Sequence, residues 1–233
     1  MVDQIESIQL ALFLNAPSAA DALAFWSLTS AVSPTAFQNA GSGQSNAQGL
    51  VAGQSAQVIV QPLRVDLIIS GVPSIDSPIA FLPDLDAALG TARVAIEKWI
   101  PHLTVGRAAA VIRGSALADN PADAVAKLQA LFPQLPSHPA ATDIQYQITV
   151  PMVSAINPLR TIQQLCRWQL VQAQRMHLVG QQMVPQLLHG AHMYVDIYGE
   201  SAEVLDSAAA VAAMHEVVDR AKVLFKGGFG ELG

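Results

Sequence analysis

Several segments of the chain alternate hydrophobic and polar residues with the period of two that is typical of a β-strand with one buried face. The first lies near the N-terminus, where Ile8, Leu10 and Leu12 alternate with polar or small residues. The other segments with this period are 58–60, 63–69, 105–113, 144–150 and 192–198. The chain is therefore predicted to be rich in strands.

Hydrophobic residues at intervals of three and four predict helices between these strands. One begins at Pro83-Asp84, and another begins at Asn120-Pro121, where Asn is a favourable N-cap and Pro a favourable first helical residue. Two more are predicted, one capped by Ser18 and running to about Val32, the other covering 207–225. The stretch 159–179 fits a helix and a strand equally well, so its element stays open.

The predicted strands outnumber the predicted helices and do not alternate regularly with them. This order favours an α+β fold, with an antiparallel or mixed sheet and helices packed mainly on one face. We expect a single domain over 1–233, which could divide into two loosely similar halves, 1–103 and 104–233. Residues 39–49 consist only of Gly, Ser, Gln, Asn and Ala, and they are predicted to form a flexible loop because none of them anchors a core.

The charge pattern changes the picture, because 42 consecutive residues from Ala22 to Leu63 contain no Asp, Glu, Lys or Arg. Over the whole chain 13% of residues are charged and 52% are hydrophobic, against about 25% charged in an average globular protein. Interface cores are depleted in charge because desolvating a charge is costly. We therefore expect a homo-oligomer or a subunit of a larger particle, with Trp26 and Phe37 as anchors of the contact.

The composition argues against several other classes of protein. The 12 Lys and Arg residues are scattered and are outnumbered by 18 Asp and Glu residues, for a net charge of −6, which disfavours nucleic acid as a partner. Asp3 and Glu6 stand where a signal peptide would be basic, and no stretch is apolar enough to span a membrane. We expect no membrane partner, and a cytoplasmic location or a place in a particle assembled inside the cell.

Two predicted strand faces carry residues that suit an anionic ligand. Arg107 and Arg113 share one face of the 105–113 strand, and guanidinium groups bind carboxylates and phosphates through paired hydrogen bonds. One face of the 192–198 strand carries four polar or aromatic residues: His192, Tyr194, Asp196 and Tyr198. Together these faces predict a ligand site, and ion pairs between the arginines and acidic residues of the chain are the alternative explanation.

Other candidate chemistry is weaker. His189, His192 and Asp196 are metal-ligand types close in sequence, but residues four apart in a strand lie about 13 Å from each other, so we predict no metal and no cofactor. Cys166, the single cysteine, cannot form an intrachain disulfide. It is a candidate thiolate beside Arg167 or a buried inert residue, and we favour the second.

The order of parts resembles a sporadically distributed family of functionally uncharacterised bacterial proteins. The matching pieces are Val105-Gly106-Arg107 with its strand, the strand 193–198, and the helix that bears Met214-His215 and Leu224-Phe225. The resemblance implies a chain that opens with a strand, has an arginine-bearing middle strand and ends in an apolar strand leading to a long helix. It implies no activity.

Two functional hypotheses follow from the sequence. The first is a non-enzymatic assembly or interaction protein, in which the uncharged residues 22–63 supply much of the contact. The second is a module or enzyme that binds a small molecule or anion on the 192–198 strand face, with Arg107 as the anion's partner. The sequence favours a protein without catalysis, because no candidate catalytic group is paired with a second one.

Overall fold

A computed structural model of the protein describes residues 4–73, 80–133, 138, 141–179, 182–200 and 203–232. Nine strands form one open antiparallel sheet in the order β2-β3-β4-β5-β1-β6-β9-β8-β7. The strands are β1 (Gln4–Leu14), β2 (Ala36–Gly41), β3 (Gln44–Val51), β4 (Gln54–Gln61), β5 (Arg64–Ser70), β6 (Val105–Ala118), β7 (Gln145–Val153), β8 (Thr161–Val179) and β9 (Gln182–Glu200). The predicted α+β class with an antiparallel sheet is confirmed.

The described α-helices all pack on the same face of the sheet. They are α1 (Ala22–Thr29), α2 (Leu85–Trp99), α3 (Pro121–Leu131) and α4 (Ser207–Gly227). Helix α1 contacts β3 and β4, α2 contacts β1 and β5, and α3 and α4 contact β6 and β9. Alternate residues of the inner strands, such as Leu10, Ala110 and Val195, are buried against these helices. The intervening residues point to the opposite face, which no described helix covers.

The order of elements is similar on the two sides of the β1–β6 contact. The chain runs strand, helix, four strands and helix from β1 to α2, and strand, helix, three strands and helix from β6 to α4. In each half the last strand returns to pair with the first, β5 with β1 and β9 with β6. The antiparallel pairing of β1 with β6 then joins the halves into one sheet.

Capping residues explain where the helices begin. The Asp84 side chain accepts hydrogen bonds from the backbone N–H groups of Asp86 and Ala87, and Asn120 caps α3 in the same way, so these two predicted starts are confirmed. The predicted start at Ser18 was wrong. Asp21 caps α1 by accepting from Ala24 N, whereas the Ser18 hydroxyl bonds to the backbone of Ala20.

Residues 39–49, predicted to be a loop, instead belong to the β2–β3 hairpin, whose turn lies at 42–43. Their small side chains have a packing role, because α1 lies close above β3. A Cβ atom on Gly49 would stand 2.9 Å from Cζ2 of Trp26, and the Ser45 hydroxyl accepts a hydrogen bond of 2.8 Å from Ala22 N. Small residues that suggested a loop thus make room for a helix.

The ambiguous stretch 159–179 contains strand β8, which pairs with β7 on one side and β9 on the other. Its even-numbered residues from Ile162 to Trp168 are buried, while the odd-numbered ones are only partly buried. The strand pattern therefore prevails over the helical one. Cys166 is one of these even-numbered residues and is fully buried.

The uncharged run of residues 22–63 forms α1 and strands β2 to β4. Trp26, predicted as an interface anchor, is 1% exposed and donates a hydrogen bond to the carbonyl of Val32. It packs in the core of its own chain and has almost no surface to offer a partner. Phe37, the other predicted anchor, lies on edge strand β2 and is 39% exposed. The absence of charged residues from 22–63 is thus partly explained by packing within the chain.

Candidate functional site

The uncovered face of the sheet contains a depression of about 510 Å³ centred on β1, β6 and β9. Its floor consists of small residues on neighbouring strands, Ala11 opposite Ala109, with Val111 beside them. These three are only 2%, 5% and 7% exposed although no helix covers them. Longer side chains surround the floor: Gln9, Phe13, Arg64, Arg107, Arg113, Tyr194, Asp196 and Tyr198. The alternation of side chains along each strand puts all of them on one face.

One end of the depression is a row of three side chains on β5, β1 and β6. Phe13 is directly opposite Arg64 on one side and Arg107 on the other. The guanidinium carbons of Arg64 and Arg107 lie 4.8 Å and 3.9 Å from the centre of the Phe13 ring, within the range of cation–π contacts. The aromatic ring therefore holds both arginines in place.

A second row of the same kind lies across β6, β9 and β8. Tyr194 is opposite Arg113 and Arg167, and their guanidinium carbons lie 5.3 Å and 5.4 Å from the ring centre. Arg113 also donates to Gln9 Oε1 at 3.3 Å, and Arg167 donates to Gln147 Oε1 at 2.9 Å. Each guanidinium is oriented by a neutral amide and a ring.

Two carboxylates line or border the depression, and they differ in their partners. Asp66 accepts hydrogen bonds from Arg64 and from Gln9, at 2.8 to 3.0 Å, and is buried. Asp196 accepts one from the Tyr194 hydroxyl at 3.2 Å. Burial raises the pKa of Asp196 above its ordinary value, although the Tyr194 hydroxyl and the nearby guanidiniums act in the opposite direction.

The arginines of the depression are only partly neutralised by the chain. Arg64 forms an ion pair of 2.8 Å with Asp66. Among the described residues, Arg107, Arg113 and Arg167 have no carboxylate within the 4.0 Å of an ion pair. The sequence offered ion pairing within the chain as the alternative explanation for Arg107 and Arg113. In the structure such an ion pair is formed by Arg64 and not by these two arginines.

His192 shares the uncovered face but lies outside the depression. Its Nε2 atom is 3.5 Å from Glu6 Oε2, and Glu6 also accepts a hydrogen bond from Ser115. Burial tends to raise the pKa of Glu6, but the bonds from His192 and Ser115 outweigh this effect and hold it below its ordinary value. His192 thus belongs to a neighbouring polar cluster in this structure.

The structure brings together most of the residues that the sequence suggested for ligand binding. Arg107, Arg113, Tyr194, Asp196 and Tyr198 line the depression. Sequence reasoning missed Phe13, Arg64 and Arg167, which complete the two rows. The alternation of residues in β1 indicates on which face Phe13 lies. Arg64 reaches Phe13 only because β1 pairs with β5, and the local sequence pattern does not predict that pairing.

A smaller cavity of about 90 Å³ lies between α4 and the loop that precedes β8. Its lining is mostly apolar, and the Glu216 carboxylate already has partners: the Ser154 hydroxyl donates to Oε2 at 2.6 Å, and Ala155 N donates to Oε1 at 2.5 Å. These bonds fasten the loop to α4. The Nε atom of Arg160, which also lines the cavity, is buried without a hydrogen-bond partner among the described residues. We attribute this cavity to packing, because it is small and offers few free polar groups.

Other features of the described residues bear on chemistry. Within them there is no group of three or more His, Cys, Asp or Glu side chains placed to hold a metal ion. Burial raises the pKa of the Cys166 thiol to about 12, against a smaller opposite effect from Arg220, so the cysteine is not an activated thiolate. In this part of the chain, no helix combines the length and apolar character that crossing a membrane requires.

No protein-family model matches the chain, and no curated protein matches it significantly. The function must therefore be argued from the site itself.

Proposed function

We propose that this protein binds an anionic small molecule in the depression on its uncovered sheet face. The observation that carries the proposal is the state of Arg107, whose guanidinium stacks on Phe13 and has no ion-pair partner among the described residues. Stacking engages the flat face of a guanidinium and leaves the N–H groups at its edge free to donate. An oxyanion is the chemical group that such an edge binds best.

The distribution of charge supports an anion at this place despite the overall charge of −6. Among the described side chains, four arginines lie on this face: Arg64, Arg107, Arg113 and Arg167. These arginines outnumber the two carboxylates that line or border the depression, Asp66 and Asp196, and a local excess of positive charge attracts anions. The floor of Ala and Val leaves space for the body of a ligand above the sheet.

Replacing Arg107 by Gln tests this proposal, because Gln keeps much of the side-chain length and removes the charge. Sulfate would be titrated into the protein at constant ionic strength while its heat of binding is measured. We expect saturable binding to the wild type, weakened about tenfold or more in R107Q, because hydrogen bonds to charged groups contribute about 1.5 to 3 kcal/mol. Lys98→Gln, an exposed charge change on α2, is the matched control and should bind like the wild type. Equal binding by R107Q and wild type would contradict the proposal.

Self-assembly is the second candidate function, and the edges of the sheet favour it. Neither edge strand, β2 (36–41) or β7 (145–153), contains Asp, Glu, Lys or Arg. Edge strands offer unpaired N–H and C=O groups, and proteins commonly protect them with charged residues. The proposed partner is a second copy of the chain, which would add its own edge strand to the sheet.

Lysine at an edge position tests this candidate. Light scattering would give the solution mass of wild type, Phe37→Lys and a control, Val94→Lys, which changes a 55% exposed residue on α2. We expect the wild type to exceed its monomer mass of 24.6 kDa, and F37K alone to shift towards the monomer. A wild type that is monomeric at all concentrations would exclude assembly through the edges.

A further inference from the structure

We propose that the ligand is an elongated dianion, with one anionic group at each end and an uncharged middle. This inference rests on the proposed function and adds the shape and charge of the ligand. It is drawn from the two arginine–aromatic–arginine rows, Arg64-Phe13-Arg107 and Arg113-Tyr194-Arg167. All of these residues line the depression except Arg167, which lies beside it against the Tyr194 ring.

The two rows are separated along β6, which contributes one arginine to each. Arg107 and Arg113 are six residues apart on the same face of this strand, so their Cα atoms lie about 20 Å from each other. Arg107 leans towards Phe13 on β1, and Arg113 leans towards Tyr194 on β9. Because the two rows are built around different aromatic rings on different strands, we treat them as separate anion sites.

The surface between the rows is suited to an uncharged segment. Ala11, Ala109 and Val111 form a floor without polar side-chain atoms. Because these floor residues are already almost fully buried, an aliphatic or aromatic segment laid over them would remove mainly its own apolar surface from water, which stabilises the complex in proportion to the area buried. Of the side chains that border the middle, Gln9 and Tyr198 are neutral, whereas Asp196 carries a carboxyl group.

Asp196 adds a reason why the negative charges of the ligand belong at the ends. Its carboxylate lines the middle of the depression and, on β9, is opposite Val111 of the floor. An anionic group placed over the floor would be repelled by Asp196 while lying further from both rows. An anionic group at the ends meets Arg107 or Arg113, neither of which has an ion-pair partner among the described residues.

Alkanesulfonates provide probes of permanent charge. The experiment compares long and short α,ω-alkanedisulfonates with alkanesulfonates of equal length that carry a single charge, each titrated calorimetrically into the full chain. We expect the long disulfonate to bind about tenfold more tightly, or better, than the monosulfonate of equal length, because a second charged contact is made without a second loss of translational freedom. The short disulfonate should gain little over its monosulfonate.

The variants Arg107→Gln and Arg113→Gln each remove a charge from one row. Either change should lower the affinity for the long disulfonate to about that of the monosulfonate, while Lys98→Gln leaves it unchanged. If mono- and disulfonates bind equally well to the wild type and both lose affinity in R107Q, the dianion is refuted and the single anion site stands. If neither sulfonates nor sulfate bind, the proposed function itself fails.

Discussion

Asp196 is the residue whose replacement should strengthen ligand binding. It lines the depression together with Arg107 and Arg113, and both guanidiniums act on its charge. Because the carboxylate has the same sign as the proposed ligand, removing its charge should favour the ligand. Asparagine has nearly the same shape and can still accept the hydrogen bond from the Tyr194 hydroxyl.

The size of this effect can be estimated from the spacing of residues along a strand. The nearer anion site, the Arg113-Tyr194-Arg167 row, lies about two residues along β9 from Asp196, which puts an anion there about 5 to 10 Å from the carboxylate. At an effective dielectric constant of about 20, two unit charges at that separation repel by about 1.7 to 3.3 kcal/mol. Screening by solvent reduces this to about 1 to 2 kcal/mol, so D196N should bind a permanent anion roughly 5 to 30 times more tightly than the wild type at neutral pH.

The pH dependence of anion affinity gives a second test of the role of Asp196. Since burial raises the pKa of Asp196, acidification from neutral pH neutralises it earlier than an exposed aspartate. Wild-type affinity for an alkanesulfonate should therefore rise as the pH falls, and the advantage of D196N should shrink. The other charged groups that act on Asp196 are the guanidiniums of Arg64, Arg113 and Arg107.

The free energy of unfolding should also depend on whether Asp196 is protonated. A raised carboxyl pKa means that the native state binds the proton more tightly than the unfolded chain, so the wild type loses stability as the pH rises through that pKa. D196N should accordingly unfold at a higher temperature than the wild type at neutral pH, and less so at acidic pH. Asp119→Asn, at an exposed position, is the control. Unchanged or weaker anion binding by D196N at neutral pH would refute the reasoning.

Three further predictions concern packing, capping and the thiol. Gly49→Ala should lower the free energy of unfolding by about 1 to 3 kcal/mol because its Cβ would stand 2.9 Å from the Trp26 ring. The control is Gly90→Ala on α2, where no atom lies within 4 Å of the new Cβ; it should raise the free energy of unfolding by about 0.5 to 1 kcal/mol. Urea denaturation measures both free energies. Equal effects of the two substitutions would contradict the packing of α1 on β3. Asp84→Ala should lower the same free energy by about 1 kcal/mol through loss of the α2 cap, and no change in the urea midpoint would count against that cap. Cys166 should resist thiol reagents in the native protein at neutral pH and react once the chain is unfolded, since burial raises its pKa to about 12; rapid native labelling would show that it is accessible.

The sequence predicts those parts of the fold that depend on local rules. Asp84 and Asn120 were recognised as helix starts because capping needs only a few consecutive residues. Arg107 and Arg113 were placed on one face, as were Tyr194, Asp196 and Tyr198, because the side chains of a strand alternate with a period of two. These local patterns already contain much of the candidate site.

The rest depends on contacts between distant segments. Phe13 joins Arg64 to Arg107 only because β1 pairs with β5 on one side and β6 on the other, and strand register is set by burial of the whole sheet. Residues 39–49 were predicted to be a loop because small residues favour turns, whereas here they allow α1 to approach β3. Trp26 was predicted to lie at an interface because the local sequence does not show that α1 covers the sheet.

The most direct test of the account is an NMR titration of the isotope-labelled chain with a long alkanedisulfonate, followed through the backbone amide signals. We expect saturable shifts concentrated on the strands that form the depression, at 9–13, 107–113 and 194–198, with little change in α2 and α4. Shifts confined to the helical face, or no saturable shifts at all, would contradict the claim that the uncovered sheet face binds an anion.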